Sequence, residues 1–170
     1  MADRAEIVST LSEQRTELAA RYRAFDAAVV TAPCTESEDP DGAPWAPIDH
    51  LAHLLRIEKA FLAMAELTLE GDTSPIKISG TTWEERIAQV HRDNEAHLAA
   101  IRPLDVEKLL AELDTAREAT LAFIERSSDE QLAAVMPGAP WGDGTVGGVL
   151  MANAGHERQH LAWVDTALAP

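Results

Sequence analysis

Apolar residues recur every three or four positions along most of the chain, which is the spacing of an amphipathic helix. In the first such stretch the apolar positions are Ile7, Leu11, Leu18, Tyr22, Phe25 and Val29. No stretch keeps the strict alternation of apolar and polar residues that marks a half-buried strand. The spacing therefore predicts helices over about residues 5–31, 47–70, 83–101, 106–127 and 146–168.

Residues that break helices separate these stretches. Pro and Gly mark loops at about residues 32–44, 71–80 and 136–144, while Pro47 and Thr145 suit the starts of the helices that follow. Four long helices, with a longer connection that holds a short extra helix between the second and the third, predict an all-α four-helix bundle. With 170 residues, the chain fits a single domain, 1–170.

The charge balance narrows the range of partners. The formal net charge is −15 and no basic stripe interrupts it, so we expect no binding to nucleic acid or to an anionic membrane surface. No apolar run is long enough for a membrane span, and the N-terminal residues lack the apolar core of a signal peptide. Cys34 is the single cysteine and cannot form an internal disulfide, so we expect a cytoplasmic protein.

The last predicted helix carries the strongest chemical signal. His156 and His160 are four residues apart, so both imidazoles project from one helix face and can bind one divalent metal ion. Two hydrogen-bonded core histidines are the alternative. With Glu157 they also form the pattern His-Glu-x-x-His, in which a zinc protease uses the glutamate to activate water. Only ten residues follow His160, too few for the usual downstream third ligand, and Trp163 replaces the glycine of the extended motif.

A third metal ligand is therefore expected from upstream. The second helix offers His50 inside its apolar arc and His53 at the edge of that arc, and helical geometry does not choose between them. Glu58 falls in the same arc and is a candidate fourth ligand or a hydrogen-bond partner of a ligand. Asn153, one turn before the histidine pair, is a candidate for contact with a ligand or the substrate. Trp141 lines the mouth of the site or caps the bundle end, and the sequence leaves both open.

The same helical geometry assigns other polar residues to solvent. Arg56 lies on the outer side of the second helix. His91 and His97 are six residues apart on a charged stretch and do not share a helix face. We therefore expect all three side chains to be exposed.

The stretch from Trp45 to Leu54, WAPIDHLAHL, resembles the second-helix signature of the DinB-like superfamily, which also contains the mycothiol-dependent maleylpyruvate isomerases. In that signature a Trp precedes the first metal-binding His by eight residues, as Trp45 precedes His53. His156 and His160 match the family's His-x-x-x-His on the last helix, and the likeness extends over nearly the whole chain. The resemblance thus implies His53, rather than His50, as the third ligand.

The resemblance further implies a four-helix bundle of unusual topology, a three-histidine site for nickel, zinc or another divalent ion, and often a homodimer. Members with known activity are similar to thiol-dependent enzymes, in which a low-molecular-weight thiol binds the metal as a thiolate and attacks an electrophile. We therefore expect a metal-dependent transferase or isomerase that uses a mycothiol-like thiol, or metal-bound water, on a small-molecule substrate. Two alternatives stay open: a non-catalytic bundle that binds a metal or small molecule, and a zincin-like hydrolase with Glu157 as its base.

Overall fold

The computed structural model describes residues 3–169, and within this range the regular structure is helical, with two isolated β-bridges in the loops. The helices are α1 (Arg4–Arg23), α2 (Ala27–Val30), α3 (Pro47–Leu69), α4 (Trp83–Ile101), α5 (Val106–Arg126), α6 (Asp129–Ala133) and α7 (Val146–Ala167). The predicted all-α fold is confirmed.

Four long helices form the bundle. α1 packs against α7 and α5, and α3 packs against the same two helices, so the four close a ring around one core. α4 lies outside this ring against α3, and α6 is a single short turn beside α7. The extra helix in the connection between α3 and α5 is therefore present, and it is 19 residues long rather than short.

Side chains at the helix starts bind backbone N–H groups that have no partner within the helix. Thr82 and Asp105 cap α4 and α5 in this way, and the Thr145 hydroxyl accepts a hydrogen bond from the backbone N–H of Gly148 at the start of α7. α3 begins at Pro47, a residue that has no N–H to satisfy. The predicted starts of α3 and α7 are thus confirmed.

The first predicted helix is two helices in the structure. α1 ends at Arg23, and α2 begins only after Asp26, whose backbone is extended. The apolar spacing of the sequence continues across this break, since Phe25 still packs inward. Its ring lies edge-on against the ring of Tyr22, with 5.4 Å between centroids. Periodicity therefore did not reveal the break. α6 was also not predicted, since its five residues are too few to show a helical period.

Two apolar clusters fill the bundle, and a polar layer separates them. One cluster includes Leu18, Leu51 and Leu110, and the other includes Leu11, Phe61 and Phe123. The layer between them consists of one buried charged residue from each bundle helix: Arg15 on α1, Glu58 on α3, Arg117 on α5 and Glu157 on α7. None of the helices in residues 3–169 combines the length and the apolar character that a membrane span requires.

Candidate metal centre

α3 and α7 bring three histidines to one point at the side of the polar layer. The Nε2 atom of His156 lies 3.3 Å from Nε2 of His53 and 2.9 Å from Nε2 of His160. His53 and His160 are buried, and His156 is partly buried. The four-residue spacing on α7 thus places two imidazoles on one face, as predicted, and that face meets His53 of α3.

His50 lies behind this group rather than in it. Its Nδ1 atom is 2.8 Å from Nδ1 of His160, and its Nε2 atom is 2.8 Å from the hydroxyl of Thr35. One assignment of protons fits both contacts and leaves Nε2 of His160 with a free lone pair. In it, His160 donates from Nδ1 to His50, and His50 donates from Nε2 to Thr35. With this assignment His50 orients His160 and fixes its tautomer.

Burial keeps the imidazoles neutral. It lowers the pKa of His156 to about 4, and burial followed by the nearby His156 lowers the pKa of His50 to about 4. The same two causes, burial first, lower the pKa values of His53 and His160 well below the usual range. At neutral pH the three imidazoles are therefore uncharged, which is the form that binds a metal ion.

The indole ring of Trp45 forms the wall behind the histidines. Its centroid lies 5.1 Å from the ring of His50, 5.3 Å from that of His53 and 6.3 Å from that of His160. The indole N–H donates to the Glu95 carboxylate at 2.6 Å, which ties α4 to this wall. The tryptophan of the sequence signature thus packs directly against the histidines whose position it predicts.

A carboxylate from the loop before α3 completes the group. Oε1 of Glu38 lies 3.9 Å from Nε2 of His53 and 3.8 Å from Nε2 of His160. One ligand atom from each of Glu38, His53, His156 and His160 falls within 4.8 Å of all the others, which is a spacing that could hold one metal ion. Burial raises the pKa of Glu38, and the charge of His91 opposes this shift.

The Glu38 carboxylate is held by a chain of hydrogen bonds from α3 and α4. The Asn94 amide donates to Oε2 of Glu38 at 3.1 Å, and its carbonyl accepts from the Arg56 guanidinium at 2.8 Å. Asn94 is buried and Arg56 is partly buried. The expectation that Arg56 is exposed is therefore wrong, because α4 covers the side of α3 that a lone helix would show to solvent.

An open cavity of about 540 Å³ adjoins this group, bounded by α3, α4 and the N-terminal half of α7. Glu38, His53 and His156 line its polar end, together with His91, which was expected to lie in solvent. Most of the other lining side chains are apolar, and the polar ones among them are Arg56, Lys77, Asp93, Asn94 and Gln159. A cavity of this size is within the range that encloses small-molecule ligands.

Glu157 and Glu58 lie in the polar layer and not among the converging ligand atoms. Glu58 accepts from the Arg117 guanidinium at 2.7 and 3.1 Å, and from the hydroxyl of Thr120 at 2.7 Å. Glu157 accepts from Arg117 at 3.0 Å and pairs with Arg15. Burial raises the pKa of Glu157, against the opposing effect of the two guanidinium groups.

Two other sequence candidates lie close to the site. Trp141 lines the cavity, and its ring packs 5.0 Å from the ring of Phe61, so it forms part of the cavity wall. Asn153 is buried on α7, and its amide nitrogen has no hydrogen-bond partner within residues 3–169. Asn153 is not among the residues that line the cavity.

Sequence reasoning missed Glu38, Asn94 and the inward position of Arg56. Glu38 is one of several acidic residues in a loop with no periodicity, so its spacing carries no signal. Asn94 is a single polar residue in a charged stretch, and only the docking of α4 buries it. Hydrophobic spacing on α4, at Ile87, Val90 and Leu98, was the available hint that this helix has an inner face.

The donor set fits a divalent ion of borderline character. Imidazole nitrogens suit zinc, nickel, copper or iron, and a carboxylate oxygen is a common further ligand. Two nitrogens bound to a tetrahedral zinc at roughly 2.0–2.1 Å would lie roughly 3.3–3.4 Å apart. The Nε2 atoms of His53 and His156 have this separation at 3.3 Å, and those of His156 and His160 are closer at 2.9 Å. The Nδ1 atoms of His53 and His156 have no partner within the described residues, so His160 is the histidine whose orientation a second hydrogen bond fixes.

Residues 37–164 match the sequence model of the DinB superfamily. A search of curated proteins and a search of solved structures found no match. The matched range runs from the residue before Glu38 to beyond His160, so it includes all four residues of the converging group.

Proposed function

The chain belongs to the DinB superfamily, and from this premise we propose that it is a divalent-metal-dependent enzyme acting on a small molecule. In this proposal a low-molecular-weight, mycothiol-like thiol, or water, reacts with a small electrophilic substrate as in a transferase or isomerase. The single observation that carries the proposal is that three neutral imidazoles and one carboxylate converge at the end of an open cavity.

His53, His156 and His160 would hold the ion, with Glu38 as a fourth ligand or as a hydrogen-bond acceptor beside it. Zinc or nickel is the ion proposed, because three imidazoles suit both. When bound there, such an ion acts as a Lewis acid that favours the ionised form of a coordinated thiol or water.

The position of the group supports a catalytic rather than a structural role. A structural zinc site is closed by four protein ligands, whereas a catalytic site keeps a position open toward substrate. Here His53 and His156 line a cavity of about 540 Å³, so a small molecule can reach the ligand atoms without unfolding the helices. Glu38 belongs to a loop and not to a bundle helix, so the helices position the three histidines without it.

An external nucleophile is proposed because the chain offers no suitable one of its own. Burial, and then the charge of Asp49, raises the pKa of Cys34, which disfavours its thiolate. Cys34 lines neither the cavity nor the converging group. The remaining task of the protein is to bind, orient and shield: His50 fixes His160, Asn94 holds Glu38, and Trp45 excludes water behind the rings.

Glu157 is a poor candidate for the base of a hydrolase. Both charged partners of its carboxylate, Arg15 and Arg117, are buried with it in the polar layer. A general base must lie within hydrogen-bond reach of the proton that it removes, and Glu157 does not line the cavity. We therefore place Glu157 in the structural layer rather than in the reaction.

Metal content of the protein purified without a polyhistidine tag tests the proposal. We expect about one equivalent of zinc or nickel, and a fall in affinity of more than about 100-fold in His156→Ala, since losing a ligand costs more than losing its hydrogen-bond partner. The matched control is His97→Ala, a histidine on α4 outside the converging group, which should bind metal like the parent.

Turnover then separates an enzyme from a binding protein. The metal-loaded parent should consume a thiol together with an electrophile such as an epoxide or an activated alkene, and His156→Ala should not. A parent that takes up neither zinc nor nickel would refute the proposed function. Full metal loading without turnover or thiol binding would favour a non-catalytic metal-binding bundle. Homodimerisation and a cytoplasmic location stay predictions.

A further inference from the structure

The cavity has a polar end and an apolar end. On α3 the lining residues run from His53 and Arg56 to Leu67, which corresponds to a length of about 21 Å along the helix. α4 runs in the opposite direction, because Asn94 bonds Arg56 at the polar end while Trp83 meets the ring of Trp141 at the other.

Apolar side chains from four segments line the far end. They are Phe61, Met64 and Leu67 from α3, Ile78 from the following loop, Ile87 from α4 and Trp141 before α7. The Lys77 ammonium also lies there, but Asp72 neutralises it through a 2.6 Å ion pair. An occupant of this end therefore gains by burying apolar surface and not by binding a charge.

Arg56 places a guanidinium at the polar end of the cavity, which the carboxylates of Glu38 and Asp93 also line. Its guanidinium bonds the neutral amide of Asn94, and within residues 3–169 it has no ion pair with a carboxylate. A guanidinium that has no ion pair and lines a cavity is suited to bind an anionic group.

We propose that the cavity binds an elongated amphiphilic anion, with its anionic head at Arg56 beside the histidine group and its apolar tail toward Leu67 and Trp141. The proposal rests on the proposed function, since a metal ion at the histidines would add a second attraction for the head. It assigns a substrate class, a small carboxylate-like anion with an alkyl or similar apolar tail, to the same site.

Calorimetric titration with a series of n-alkanoates, from four to twelve carbons, tests the tail. The dissociation constant should fall roughly three- to fourfold for each added methylene until the tail fills the cavity, because each buried methylene contributes a constant increment of free energy. The series is measured on metal-free and on metal-loaded protein. The dependence on tail length should be the same in both, and the metal should strengthen every member equally.

Ala60→Phe tests where the tail lies. Ala60 lines the cavity one turn beyond Arg56, so an added ring should stop the gain in affinity at a shorter tail. Ala152→Phe, on the α7 wall, should do the same. Ala111→Phe, exposed on α5, is the control and should leave the series unchanged. Folding of each variant is checked by its circular dichroism and thermal unfolding.

Arg56→Met tests the head. It should weaken alkanoates about 10- to 100-fold, the range for hydrogen bonds to a charged group, and should leave the matched n-alkanols unchanged. Arg56→Lys should restore part of the preference for the anion. Arg23→Met removes the same charge at an exposed site on α1 and should have no effect.

The outcomes separate this inference from the proposed function. Metal uptake without any dependence on tail length, or equal binding of alkanols and alkanoates, would overturn the inference and leave the metal proposal standing. Tail-dependent, Arg56-dependent binding to a protein that takes up no metal would support the inference and refute the metal proposal.

Discussion

Two buried polar regions lie side by side along α7, and they differ in how their groups are paired. Glu157 belongs to the polar layer, where two guanidinium groups and two carboxylates balance to zero net charge. The preceding residue, His156, belongs to the histidine group, where three neutral imidazoles converge and two of their nitrogen atoms have no hydrogen-bond partner within the described residues. One helix thus carries a paired region and an unpaired one.

In the polar layer the buried charged groups are paired with one another and with backbone carbonyls. The Arg117 guanidinium bonds both carboxylates and also donates to the Leu11 carbonyl at 2.6 Å, and Arg15 donates to the Leu113 carbonyl. Charges buried this way lose their hydration, so each must find partners inside the protein. The layer ties α1, α3, α5 and α7 to one arrangement, with no group left over for a ligand except one oxygen of Glu157.

The histidine group is not paired in this way. Buried polar atoms are normally hydrogen-bonded, and those that are not usually mark a functional site. Here three imidazoles converge at the edge of a cavity, and the outer nitrogens of two of them have no partner within residues 3–169. The comparison teaches that burial of polar residues alone does not identify a site, whereas buried imidazoles that converge without a full set of hydrogen-bond partners indicate one.

The largest effect is expected on stability, from a substitution in the polar layer. Arg117→Met should lower the free energy of unfolding by about 3–5 kcal/mol, because it leaves two buried carboxylates with one guanidinium between them. Chemical denaturation of the metal-free protein measures this. Metal stoichiometry of the folded variant should be unchanged.

Arg126→Met is the control on the same helix. Arg126 pairs with Glu66 at 3.1 Å on the surface, where both side chains are about half exposed. Its loss should change the free energy of unfolding by less than about 1 kcal/mol. If the two variants were equally stable, the polar layer would not have the structural role described above.

A smaller effect is expected on metal affinity, from a substitution beside the histidine group. His50→Phe keeps the ring volume but removes the acceptor for Nδ1 of His160, so metal affinity should fall about 10- to 100-fold. Competition with a chromogenic chelator measures it. Thr35→Val, which removes only the outer hydrogen bond, should have a smaller effect. Unchanged affinity in His50→Phe would show that His50 does not orient a ligand.

The smallest effect, taken over a single pH unit, is expected from pH. The folded pKa values of His50 and His156 are about 4, against a usual value of 6.5, so the unfolded chain binds protons first as pH falls. The free energy of unfolding of the metal-free protein should therefore decrease from about pH 6.5 to about pH 4, by roughly 1.4 kcal/mol per pH unit for each such histidine. Above pH 6.5 these groups contribute no slope.

The pH slope is isolated by subtraction. Stability curves of the parent and of His156→Ala are compared over the same range, so that carboxylates common to both cancel. The variant should lose less stability per pH unit than the parent. Parallel curves would contradict a neutral, buried His156.

Much of the fold could be predicted from the sequence, because the long helices bury one face each. The starts of α3 and α7 follow from Pro47 and Thr145, and the grouping of His156 with His160 follows from helical spacing. The choice of His53 over His50 came from the resemblance, and the structure brings His53 to the converging group and places His50 behind it.

The remainder of the site depends on long-range packing. Glu38 reaches the histidines because the loop before α3 folds back, with Thr35 pairing to Trp45 as an isolated bridge. Arg56 faces the cavity because α4 docks on α3, and a wheel drawn for one helix contains no neighbour. Such positions are set by tertiary contacts between segments distant in sequence, which periodicity does not encode.

The attachment of α4 has a consequence for how this protein can change. Its C-terminal half is anchored by buried Asn94 and Leu98 and by Glu95 on Trp45, whereas Ile87, near its N-terminus, lines the apolar end of the cavity. Part of the wall of the apolar end is therefore carried by a different helix from the three histidines. A substitution at Ile87 can alter which molecule fits while leaving the ligand atoms where they are, so selectivity and reactivity can be varied independently.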